Sequence, residues 1–110
     1  MIAEQPRKTQ YRLGPLSQIP VGEGRVFQAG SLQVAVFHTR QNEVYAVQAS
    51  CPHRNGPLAD GLLGGATVVC PLHGWKYDLA TGQPLMGECA IATYPLQLTD
   101  SCEMLLMVEE

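Results

Sequence analysis

Two stretches, CPHRNGPLADG over residues 51–61 and VVCPLHGWKYDLATG over residues 68–82, decide how this chain is read. Each carries one cysteine and one histidine at close range, Cys51-Pro-His53 in the first and Cys70-Pro-Leu-His73 in the second, with 16 residues between His53 and Cys70. A cysteine offers a soft thiolate and a histidine a neutral imidazole, so four ligand-grade side chains of two kinds arrive in matched pairs. Pro52 and Pro71 restrict the loop backbones. Gly56 and Gly74 permit close approach or a positive φ.

Several chemistries compete for this set. A structural zinc takes two cysteines and two histidines, but it favours C-x₂₋₄-C and H-x₃₋₅-H pairs, and the order here is Cys-x-His followed by Cys-x₂-His. A catalytic Cys–His pair leaves two ligand-grade residues idle. A Cys51–Cys70 disulfide leaves both histidines unexplained. The chain has four cysteines in all, and the other two, Cys89 and Cys102, read as buried small apolar residues.

Outward from these loops the chain changes character. From residue 49 to 88 glycine and proline crowd in, which builds turns rather than long elements. Before that stretch, Tyr11–Leu16, Arg25–Gln28, Leu32–Phe37 and Val44–Val47 read as strands, the third with period-two alternation. Gly22-Glu23-Gly24, Ala29-Gly30-Ser31 and Gln41-Asn42 read as the turns between them. Val68-Val69 and Lys76–Asp78 are short strands inside the loop-rich stretch. Ile91–Tyr94, Leu96 with Leu98, and Met104–Val108 resume the pattern after it, with Thr99-Asp100-Ser101 as a turn. No helical period and no repeat is evident. The pattern is an antiparallel β region split by a ligand-rich insertion, and only the first nine or so residues read as a flexible tail.

The 110 residues suit one domain with one core, and 45% hydrophobic content is ordinary for a globular protein. A net charge of −3 argues against a nucleic-acid surface, which needs a basic patch. No apolar run reaches the roughly 18–20 residues of a membrane span, and no signal-peptide pattern opens the chain. The expected compartment is the cytoplasm.

The loop letters resemble those of the Rieske family, in which two histidines replace two cysteines on one iron of a [2Fe–2S] centre. The resemblance implies an all-β fold: an antiparallel β-sandwich or barrel base, about residues 10–48 and 89–110, with a small cluster-binding β subdomain inserted at about 49–88, together one Rieske domain over 1–110. It implies that Cys51 and Cys70 hold the buried iron and His53 and His73 the outer one. Two thiolates and two imidazoles bring an oxidised two-iron, two-sulfide core to zero charge, where four thiolates would bring it to −2. An electron enters a neutral centre more easily, which raises the potential to roughly −150 to +300 mV. The extra cysteines that form a bridging disulfide in respiratory relatives are replaced here by Gly56 and Leu72, and a serine donor by Trp75. Tyr77 keeps the tyrosine place and its donor role to a cysteine sulfur. With one donor fewer, the lower part of the potential range is expected.

The same resemblance extends through GPLSQIPVGEGRVF, VAVFHTRQNEVYAVQASCPHRNGPLADGL and IATYPLQLTD to the branch of nitrite reductase small subunits. It implies an electron-transfer component, not a catalyst alone, partnered by a flavin and sirohaem large subunit that uses NAD(P)H. The alternative is a free Rieske ferredoxin that links a ferredoxin reductase to an aromatic-ring dioxygenase. A complete oxygenase needs a further mononuclear iron held by two histidines and a carboxylate, and only His38 remains to supply it. His38 itself reads as the surface end of a strand. Trp75 reads either as a shield of the cluster or as packing for the loop base, and Arg54 either as steering a partner or as plainly solvated.

Overall fold

The computed structural model describes residues 8–52, 56–71, 74–86 and 89–109. The expectations placed on His53, Arg54, Leu72 and His73, and on a tail over residues 1–7, lie outside the described residues. Lys8 and Thr9, expected in that tail, belong to the first strand.

Three antiparallel sheets stack as layers. The first joins β1 (Lys8–Pro15), β11 (Glu103–Glu109) and β10 (Leu96–Leu98) in that order. The second runs β2 (Glu23–Ala29), β3 (Leu32–His38), β4 (Val44–Gln48) and β9 (Thr93–Tyr94). The third, built wholly from the Gly/Pro-rich stretch, runs β5 (Leu62–Gly64), β6 (Thr67–Val69), β7 (Lys76–Asp78) and β8 (Pro84–Met86). Among the described residues the only helical pieces are two 3-10 turns, Leu16–Gln18 and Leu58–Asp60.

The second sheet is the middle layer, and β3 shows why. Successive side chains of a strand point to opposite faces. Val34 and Val36 enter one core with Leu16, Ile19, Met104, Leu106 and Val108 from the first-sheet side. Ala35 and Phe37 enter the other core with Val68, Tyr77, Leu79, Cys51 and Cys70 from the third-sheet side. All four residues are completely buried. The continuous apolar run VAVF is therefore the signature of a strand covered on both faces, beyond the simple alternation read from the sequence.

Three local expectations are corrected. Glu23 and Gly24 are strand rather than turn, because they pair with His38 and Phe37. Of Ile91–Tyr94 only Thr93 and Tyr94 form a strand. His38 ends β3 as expected, but it is buried: its Nδ1–H donates to Ile19 O at 2.9 Å and its Nε2 lies 2.8 Å from Asn42 Oδ1. It ties the 3-10 segment to the β3–β4 hairpin.

Candidate iron–sulfur site

Two loops of like construction carry the cysteines. The Cys51 N–H donates to Gly56 O at 2.8 Å, and the Cys70 N–H donates to Trp75 O at 2.7 Å. In each loop the cysteine amide is bonded to the carbonyl five residues later, so the two loops are closed in the same way. The second loop is tightened by Gly74 N–H to Cys70 O at 3.1 Å, with Gly74 at φ +72°, the left-handed region that glycine reaches without penalty. The first is stitched by a bridge between Ser50 and Pro57 and by Leu58 N–H to Ala49 O at 3.0 Å. Both cysteine amides are thereby used in closing the loops.

Register then sets the side chains. Across the third sheet, Leu63, Val68, Tyr77 and Pro84 form one cross-strand row and Leu62, Val69, Lys76 and Met86 the next. The first row turns inward: Val68 and Tyr77 are fully buried. The second turns outward, with Leu62 75% and Met86 52% exposed. Cys70 follows directly after β6 and Trp75 precedes β7, so the second loop is the connection between the two central strands.

Cys51 and Cys70 are almost completely buried in the same core cluster as Tyr77, and the Tyr77 hydroxyl sits 3.1 Å from Cys51 Sγ. Burial pushes the Tyr77 hydroxyl well above its ordinary value of 10.0, and the hydrogen bond to Cys51 and the nearby cysteine sulfurs push it the same way. The phenol therefore keeps its proton and can donate it to a thiolate. Two buried sulfurs beside a phenol donor, each in a backbone-closed loop, fit the sulfur half of an iron–sulfur centre. Trp75 is partly buried and packs against the same cluster, as loop-base packing requires.

Other residues stand apart from this arrangement. Cys89 and Cys102 are exposed, contrary to the expectation of burial. Cys102 occupies the left-handed position, φ 61°, of the turn between β10 and β11 and belongs to neither core cluster. Among the described residues no group of three or more His, Cys, Asp and Glu gathers as a metal site, His53 and His73 being outside them. No helix among the described residues is long and apolar enough to cross a membrane.

Comparison with known proteins bears on the same residues. The family model of the Rieske [2Fe-2S] domain matches residues 9–95. The ferredoxin component of the naphthalene 1,2-dioxygenase/salicylate 5-hydroxylase systems of Ralstonia sp. is 31% identical over 94 residues, covering 84% of this chain and 89% of the relative. The 4beta-methylsterol monooxygenase of Methylococcus capsulatus is 35% identical over 75 residues, 58% of this chain but only 20% of that much longer protein. In fold, a crystal structure assigned as an NADH-dependent nitrite reductase small subunit from Mycobacterium tuberculosis superposes with a TM-score of 0.85 at 18% identity, covering 93% of this chain and 96% of the other. The match spans both cysteine loops and the strands that carry them; the chain belongs to the Rieske [2Fe-2S] domain family, as an electron-transfer protein with a Rieske-type [2Fe–2S] cluster.

Proposed function

We propose that the cluster is held by Cys51 and Cys70 through sulfur and by His53 and His73 through nitrogen, and that the chain is a one-electron carrier which docks on a larger oxidoreductase. The bound cluster supplies reversible one-electron chemistry near the middle of the redox scale. The observation that carries this reading is the pair of buried cysteines in like, backbone-closed loops with the Tyr77 hydroxyl on Cys51. The two cysteines fix the inner side of the site, and Tyr77 stabilises negative charge on Cys51. Residues 49–88 act as the cluster-binding unit, on a base formed by residues 10–48 and 89–110. His38 supports a carrier over a catalyst, because Ile19 and Asn42 engage both of its ring nitrogens.

The outward row of the third sheet supports docking. Leu62, Val69 and Met86 offer an apolar strip beside the cysteine loops, with Lys76 within it. A redox protein with an apolar surface and a carboxylate opposite Lys76 complements it.

Two partner readings follow from different observations. The runs GPLSQIPVGEGRVF and CPHRNGPLADGL favour the small subunit of an NAD(P)H-dependent nitrite reductase, whose large subunit carries flavin and sirohaem. The 31% identity along nearly the whole of a dioxygenase-system ferredoxin favours a free ferredoxin between a reductase and an aromatic-ring oxygenase. Mixing the reduced protein with each partner and following cluster reoxidation by visible absorption separates them. Stable co-purification and electron delivery to sirohaem fit the first; transient delivery to an oxygenase fits the second. A cluster that cannot be reversibly reduced would overturn both.

A further inference from the structure

Gln48 is the last residue of β4, where the chain leaves the middle sheet for the cysteine loops. Ala92 lies one residue before β9, where the chain returns. The backbone N–H of Gln48 donates to Ala92 O at 2.9 Å. The side chain completes the junction: its carboxamide oxygen accepts the Ala92 N–H at 2.8 Å, and its amide nitrogen donates to Ser50 O at 2.7 Å. Ser50 immediately precedes Cys51. One planar group therefore ties the exit of the inserted segment to its return and also holds the carbonyl next to the first cysteine.

The Ser50 carbonyl shares its peptide plane with the Cys51 N–H, so loop closure holds that plane from one side and Gln48 holds it from the other. Leu58 N–H takes Ala49 O at 3.0 Å, and Cys51 N–H takes Gly56 O at 2.8 Å. On the return side, Ile91 N–H donates to Gly82 O at 2.8 Å, which anchors the segment before β9 to the turn between β7 and β8. The two tasks of Gln48 need a donor and an acceptor on one group at this reach. Glutamate keeps the acceptor and loses the donor; leucine keeps the shape and loses both.

We infer that Gln48 is a positioning residue, whose carboxamide clamps the two ends of the cluster-bearing segment and fixes the path into Cys51. The inference rests on Cys51 being a ligand, as proposed above. Gln48 acts through the Ser50 backbone and not by contact with the reacting centre.

The test uses the holoprotein with Gln48→Leu and Gln48→Glu. The readouts are hydrogen exchange of the peptide containing Ala92 by mass spectrometry, EPR line shape after reduction, and the rate of iron release to a chelator. In Gln48→Leu the Ala92 amide should exchange about tenfold faster, the factor that accompanies loss of a hydrogen bond of typical net strength. Its EPR lines should broaden and iron release should quicken several-fold. Gln48→Glu should keep the Ala92 protection yet share the broadened lines and faster release. Wild-type line shape and release in Gln48→Leu would reduce the side chain to a local tie, and unchanged Ala92 exchange would remove the clamp altogether; either result overturns the inference. Failure of the ligand assignment itself reads differently, as wild-type protein without iron, and Ala92 exchange then still reports on the clamp.

Discussion

The Tyr77 hydroxyl lies 3.1 Å from Cys51 Sγ, with both residues buried in one core cluster. They are 26 residues apart in the chain, and the third sheet brings them together by turning Tyr77 inward while its neighbour Lys76 faces out. With Cys51 as a thiolate the phenol is the donor, and a donor to a ligand sulfur favours the reduced, more negative state.

Removing that donor should make reduction harder. Tyr77→Phe keeps the ring in the core and deletes only the hydroxyl. If the bond favours the reduced state by about 1.4 kcal/mol, the midpoint potential falls by about 60 mV. Potentiometric titration monitored by EPR reads the shift. An unchanged potential in a variant that retains its cluster would remove Tyr77 from the redox tuning.

Gly82 marks the tightest backbone approach near the return strand. Its φ is +78°, and a Cβ there would meet the Ile91 carbonyl oxygen and the Thr93 methyl group. Gly82→Ala combines the left-handed penalty of about 1–3 kcal/mol with that collision. Thermal unfolding should show Tm lower by roughly 5–15 °C. Gly65 has a similar φ of +59° but open space around it, so Gly65→Ala should show the smaller, conformational part alone.

The outward row of the third sheet should matter to partners and not to the cluster. Leu62→Thr with Met86→Thr keeps strand propensity and removes the two most exposed apolar groups of the row. Stopped-flow electron transfer to the partner should slow by about fivefold or more, the scale of a small interface hot spot. The midpoint potential should stay where it is. A normal rate would place docking elsewhere.

Metal removal should loosen the molecule unevenly. The core between the second and third sheets contains Cys51 and Cys70, whereas the core between the first and second contains neither. Binding free energy at such a site is also folding free energy for the elements that form it. Chelation should therefore abolish hydrogen-exchange protection in β5–β8 while β1, β3 and β11 keep most of theirs. Equal loss in both cores would contradict this division.

The strands of the base and the two cysteine loops were legible because their signals are local. Period-two apolar runs, glycine-rich turns and ligand spacing all fall within a few residues of one another. The misses had two kinds of cause, partners far along the chain and local geometry that leaves no pattern. His38 is buried because Ile19, 19 residues away, offers a carbonyl that no local pattern reveals. Cys102 is exposed in the turn back to β11, where it takes a left-handed φ that its residue type does not signal. β5 and β8 are three residues each, too short to show a period. Gln48 carried no spacing signal at all, since its partners, Ser50 and Ala92, lie on opposite sides of the insertion.

The central claim is mixed ligation, sulfur from Cys51 and Cys70 and nitrogen from His53 and His73. Pulsed EPR of the reduced protein grown with nitrogen-15 histidine tests it most directly. Two strongly coupled histidine nitrogens, with one coupling lost in a variant of His73 that still holds some cluster, are the expected result. A reduced cluster with no histidine coupling, or purified protein carrying a single zinc and no sulfide, would contradict it.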